Sequence, residues 1–270
     1  MTERTYSNPF KAALWMLGAM LSFTLMAIAG RALHGHLDTF EIMLYRSLLG
    51  IVLVLLVGWK ADTLREINPG RLPLHVIRNL SHFIGQNLWF YAVALIPLSQ
   101  LFAFEFSTPL WVALMAPFVL QEKWTPTRVT VVIVGFIGVL LVARPDIAVI
   151  NTATLAAALC AVGFAGATLS TKLLARTESV TCIMFWLVFL QGLFGLVCAG
   201  YDGHIAMLTS QTWHWAMIVG LCGLIAHFCI TNALKIAAAT VVTPLEFLRL
   251  PLIAVVGYLL YDEPLLLSVL

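Results

Sequence analysis

Apolar runs long enough to cross a bilayer recur along the whole chain, and this recurrence limits what it can fold into. They fall at roughly 10–30, 40–59, 73–95, 98–120, 127–143, 151–172, 180–200, 212–236 and 240–261. About 20 apolar residues make a helix as long as the hydrocarbon core is thick. In lipid every backbone N–H and C=O must be satisfied within the protein, so runs of this length are read as helices. A tenth run begins at Leu265 and meets the end of the sequence at Leu270, so helix 10 is expected to be truncated here. Only 10% of the 270 residues are charged, against about 25% in soluble domains. The longest connections, near 60–72 and 201–211, are too short for a soluble domain. The expected fold class is an all-α integral membrane protein, and the helices themselves must carry the function.

The first run is too long for the apolar core of a signal peptide, and no small-residue cleavage site follows it. With the N-terminus inside, the cytoplasmic segments and helix ends collect Arg4, Lys11, Lys60, Arg65, Arg71, Arg78, Lys123, Arg128, Lys172, Arg176 and Lys235, against Arg31 and Arg144 outside. Such a bias orients a membrane protein. The expected location is the inner (plasma) membrane, multi-pass, with a cytoplasmic N-terminus. A net charge of +2, spread along the chain, does not suggest nucleic acid. The five cysteines stand at unrelated spacings within the runs, with no CxxC or Cys/His metal pattern. No Walker loop is present, and no nucleophile–base pair stands out. Neither enzyme activity, cofactor nor metal is expected.

A shift of 141 residues lays the sequence on itself. Glu105 falls on Glu246, Glu122 on Glu263, Phe23 on Phe164, Ala92 on Ala233 and Phe106 on Phe247, while "EIMLY" at 41–45 meets "CIMFW" at 182–186. The acidic matches weigh most, because charges inside spans are rare. Five helices per copy is an odd number, so the second copy would be inverted in the membrane, a recurring plan of secondary transporters.

The stretch from Tyr91 to Pro145, with "LFAFEFSTPLWVALMAPFVLQEK" at its heart, resembles the end of an EamA repeat of the drug/metabolite transporter superfamily. "AHFCITNALKIAAATVVTPLEFLRLPLIAVVGYLLYDEP" in the second half resembles the corresponding end of the second repeat. The trailing acids Glu122 and Glu263 belong to the likeness. The resemblance implies ten helices in two inverted EamA repeats, 1–145 and 146–270, the second incomplete at its C-terminus. It also implies cytoplasmic termini and a central cavity. The second half is similar to members that handle S-adenosylmethionine or other small metabolites.

Several residues are candidates for substrate binding or coupling. Glu105 is a carboxylate within a span, costly there and therefore a candidate for function; a structural ion pair, for instance with Arg46 of helix 2, is the alternative. Glu246 has Arg249 three residues on, on the same helical face, so a local pair explains it. Pro109 lacks the N–H that would bond the Glu105 carbonyl, and Pro251 does the same to Phe247, so both prolines are expected to shape their helices beside a carboxylate. Asn79, His82, Gln86 and Phe90 share one face of helix 3, with Asn87 adjacent. The 141-residue shift sets His227 on Gln86 and Thr231 on Phe90. Such a stripe suits a cavity wall, or equally interhelical hydrogen bonding. Helices 1 and 6 are rich in glycine, alanine and serine, which favours close packing.

The function expected is secondary active transport of a small polar or amphipathic organic metabolite by alternating access. Protons are a candidate coupling partner and the bilayer is the solvent. A carboxylate with few cations around it favours zwitterionic or cationic solutes. A non-transport receptor or assembly subunit is the alternative, and it predicts a dry interface between the halves.

Overall fold

The computed structural model describes residues 8–121, 126–143, 151–242, 245 and 249–262. Among these, all regular structure is helical: α1 (Pro9–Leu33), α2 (Thr39–Lys60), α3 (Leu72–Leu95), α4 (Leu98–Glu105), α5 (Thr108–Val119), α6 (Pro126–Ala143), α7 (Thr152–Leu174), α8 (Val180–Ala199), α9 (Trp213–Ile236), α10 (Ala239–Val242) and α11 (Arg249–Tyr261), with a short 3-10 turn at Leu64–Glu66. Six segments among the described residues are long and apolar enough to cross a membrane, so the chain is an all-α, multi-pass membrane protein. The span expected at 98–120 is two helices, α4 and α5, and the described residues of that at 240–261 include α10 and α11. The start of a tenth helix lies outside the described residues.

The helix ends follow from local chemistry. Asp38 caps α2 by accepting from the Glu41 N–H, and the Glu41 carboxylate returns the bond to the Asp38 N–H at 2.8 Å. Such a reciprocal box satisfies two donors that a helix start leaves open. Ser179 caps α8 in the same way, accepting from the Cys182 N–H. Arg31 at the end of α1 donates to the carbonyls of Val93 (2.9 Å) and Ile96 (2.7 Å) at the end of α3. Lys172 at the end of α7 donates to those of Leu234 (2.8 Å) and Ala237 (2.9 Å) at the end of α9. Both cations hold carbonyls that a helix end leaves without an intrahelical donor. The two sets of atoms are offset by the same 141 residues, as are the bounds of α3 and α9.

The packing is exchanged in the same manner. α1 runs along α9, α3 runs along α7, and α2 lies against α8. α1 turns Met16, Ala19, Ala27 and Ala29 inward and leaves Leu14, Leu17, Leu21 and Leu25 exposed. The exposed side is apolar, as a lipid-facing surface must be. Trp213 is also exposed, at the first turn of α9.

Small residues let backbones touch. A Cβ on Gly163 of α7 would lie 2.8 Å from the Ser81 carbonyl oxygen and 2.9 Å from Gly85 Cα of α3. A Cβ on Gly138 of α6 would meet nothing within 4 Å. Gly163→Ala is therefore expected to cost about 1–3 kcal/mol by overpacking, read as a lowered thermal midpoint in detergent. Gly138→Ala should leave the midpoint unchanged or raise it, because alanine is the better helix former.

Candidate functional site

The break between α4 and α5 builds the site. A continuous helix would leave the Glu105 carbonyl without a donor, because Pro109 has no N–H. Instead α4 ends at Glu105, α5 starts at Thr108, and the Thr108 hydroxyl donates to the Glu105 carbonyl at 2.5 Å. Pro109 thus stands in the first turn of a new helix, where proline is tolerated. Pro251 occupies the first turn of α11; the residue it was expected to affect, Phe247, lies outside the described residues, as does Glu246.

The turn directs the Glu105 side chain into the protein, where it is 7% exposed. Trp89 Nε1–H of α3 donates to Oε2 at 2.6 Å, and Arg249 Nη2–H of α11 donates to Oε1. The Arg249 guanidinium lies over the rings of Phe102 (4.7 Å), Phe23 (5.1 Å) and Phe106 (5.3 Å). Aromatic faces attract cations and so help to hold this charge in place. The partner of Glu105 is therefore Arg249, which sequence had assigned to Glu246, and not Arg46. Nor is Glu105 a lone carboxylate awaiting a cationic solute. Helical spacing could not reveal a pair that spans 144 residues.

Around this pair lies a cavity of about 60 Å³. Its walls come from α1, α3, α7, α9, α11 and the α4–α5 turn. Gln86, Glu105 and His227 line it. His82 lines it too, its ring 4.5 Å from that of His227 and at 77° to it. Among the described residues, His82 Nδ1, Gln86 Nε2 and His227 Nε2 have no hydrogen-bond partner though all are buried. Buried polar atoms are normally satisfied, so these three stand out along the cavity wall.

The other candidates point elsewhere. Phe90 packs on Gly30 and edge-on to Trp89. Asn87 Nδ2–H donates to the Phe83 carbonyl at 2.8 Å, and the Thr231 hydroxyl to the His227 carbonyl at 2.7 Å. Asn79 Nδ2–H bonds the carbonyls of His75 and Trp186, tying α3 to α8. Arg46 is buried under Gly220 and Gly223 of α9, with Nη1 3.7 Å from Met43 Sδ, and borders a smaller pocket with Ser47 and Gln191.

Sequence reasoning passed over Arg78, Trp89, Phe23, Phe164 and Thr171, all of which line the cavity. Arg78 had been placed among the cations of the cytoplasmic segments and helix ends, yet it is 2% exposed. Its Nε–H donates to Thr171 Oγ1 at 3.1 Å and its Nη1–H to Asn79 Oδ1 at 2.8 Å. Its spacing of four residues before His82 was the available signal, since it continues the polar stripe of α3.

A bundle of apolar helices enclosing a charged and aromatic cavity has the form of a membrane protein that passes small solutes. Residues 10–144 match the model of the EamA-like transporter family, and the chain belongs to that family. It is accordingly a transporter and not an enzyme. It is 26% identical over 253 residues to the S-adenosylmethionine uptake transporter of Rickettsia bellii (strain RML369-C), covering 92% of this chain and 84% of that one. It is 29% identical over 204 residues to the riboflavin transporter of Brucella anthropi, covering 74% and 72%. A solved crystal structure of 19% identity superposes with a TM-score of 0.69 over 96% of this chain and 91% of the other, which shows a shared fold.

Proposed function

We propose that the protein is an inner-membrane secondary transporter that carries a metabolite bearing both a carboxylate and a flat ring, by alternating access through this cavity. The carrying observation is the charge balance of the interior. Glu105 is neutralised by Arg249, whereas no carboxylate pairs with Arg78 among the described residues. A buried cation without a counter-charge is unfavourable, and a solute carboxylate would supply one. Phe23, Phe164 and Trp89, with the two histidines, offer faces and edges for a planar ring. S-adenosylmethionine, carried by one set of relatives, combines an amino-acid carboxylate with adenine, and riboflavin has a flat ring system. The class expected here is S-adenosylmethionine-like or amino-acid-like.

Two inverted five-helix repeats, 1–145 and 146–270, with the N-terminus in the cytoplasm, form the architecture of this reading. The caps and cation–carbonyl bonds offset by 141 residues support it, as does the exchange of α1–α9 for α3–α7 packing. Ligand sites of such transporters lie where the repeats meet. Gln86, Glu105 and His227 are the substrate-facing candidates retained, joined by Arg78. Protons remain the candidate coupling ion. With Glu105 engaged by Arg249, His82 and His227 are the cavity groups left to carry one.

Uptake of radiolabelled S-adenosylmethionine and of riboflavin into proteoliposomes, with and without an imposed pH gradient, tests the reading. Saturable flux is expected, with competition strongest from solutes that have both a ring and a carboxylate. Equal competition by solutes lacking the carboxylate would overturn the proposed substrate class. No flux of any solute would overturn transport in favour of a receptor or assembly role.

A further inference from the structure

His75, Glu178 and Cys182 converge away from the cavity, at the end of the bundle where the α2–α3 connection passes the α7–α8 connection. Their imidazole nitrogen, carboxylate oxygen and thiol sulfur all lie within 4.8 Å of one another. His75, in the first turn of α3, is 0% exposed, and neither of its ring nitrogens has a hydrogen-bond partner among the described residues. A neutral imidazole carries one N–H donor and one lone pair, so burying both idle is unfavourable.

The surroundings hold the other two groups in position. Asn68 Nδ2–H donates to Glu178 Oε2 at 3.0 Å. The Asn68 carbonyl accepts from Trp186 Nε1–H at 2.9 Å and from Cys182 Sγ–H at 3.6 Å. The His75 ring lies 5.9 Å from that of Trp186. Glu178 and Cys182 stand four residues apart, but His75 lies on α3 in the other half of the chain, which is why no metal motif was legible in the spacing.

We propose that His75, Glu178 and Cys182 bind one divalent transition-metal ion of the zinc class, with water as the fourth ligand. Imidazole, carboxylate and sulfur together suit zinc, whereas magnesium and calcium prefer oxygen alone. On binding, the Cys182 thiol loses its proton to solvent as the metal–sulfur bond forms. His75 contributes a lone pair of its neutral ring and Glu178 its carboxylate, with no change in oxidation state. Ligand bonds of about 2.0–2.3 Å require the three side chains to draw in slightly around the ion. The bound ion ties the start of α3 to the start of α8. Asn68, by holding Glu178, is a positioning residue.

The test uses the purified full chain in detergent, stripped with a chelator and titrated with Co²⁺, which is then displaced by Zn²⁺. One-to-one binding is expected, with a thiolate-to-cobalt charge-transfer band and visible bands of four-coordinate intensity. Cys182→Ser should lose the charge-transfer band. Asn68→Ala should keep the band but weaken zinc affinity about 10- to 100-fold. The band's survival in Cys182→Ser would place the ion on another cysteine and overturn the proposal. Absence of stoichiometric binding by the folded wild type would overturn it too, as would unchanged zinc affinity in Asn68→Ala. Should Cys182→Ser fail to fold, the wild-type spectrum and the Asn68→Ala affinity decide alone.

Discussion

Arg249→Met is expected to lower stability by about 3–5 kcal/mol, because it strands the Glu105 carboxylate in the interior with Trp89 as its remaining partner. Glu105→Gln should cost a similar amount for the opposite reason: it leaves a guanidinium buried among Phe23, Phe102 and Phe106. The double variant Glu105→Gln/Arg249→Met removes both charges, and exchange of a buried ion pair for uncharged groups is often close to neutral. Most of the stability should return in it. Transport should not, because the pair forms part of the cavity wall and joins the α4 turn to α11. The readouts are the thermal midpoint in detergent and solute flux in proteoliposomes for all three variants. Single variants as stable as the wild type would mean the pair contributes little. A stable double variant with wild-type flux would confine the pair to a structural role.

The sequence made the class, an all-α multi-pass membrane protein, legible because span length and apolar composition are set by the bilayer, not by tertiary detail. The carboxylate, the proline Pro109 that follows it and the polar face of α3 could be read for related reasons. Charge in a span, a missing N–H and a helical period of 3.6 each act within one segment. What escaped notice was everything decided between segments. Arg249 looked committed to Glu246 three residues away, but its guanidinium reaches across to Glu105 of α4. Arg78 was counted with the cations of the cytoplasmic segments and helix ends, yet α3 carries it inward against Thr171 of α7. Phe90 and Thr231 sit on the right helices, but one packs against Gly30 and the other back-bonds its own helix. A stripe one turn wide identifies a face, while the neighbouring helix decides which part of that face meets open space.

Arg78 gives the sharpest test of the substrate class. Its guanidinium is anchored on two sides, by Thr171 and Asn79, so it is held rigidly at the cavity edge. A charge-assisted bond from such a preorganised donor to a carboxylate is worth about 1.5–3 kcal/mol. Arg78→Gln retains a hydrogen-bonding amide and removes the buried charge, so folding should be preserved. KM for a carboxylate-bearing solute should then rise about 10- to 150-fold, which is that energy converted at about 1.4 kcal/mol per tenfold. Competition by the matching carboxamide, which never used the charge, should be nearly unchanged. Proteoliposome uptake with the acid and its amide, for wild type and Arg78→Gln, separates the outcomes. A fall in affinity shared equally by acid and amide would mean that Arg78 shapes the cavity without reading charge. No change for either would remove Arg78 from the site, and the carboxylate would have to be sought by the cavity's other cation, Arg249.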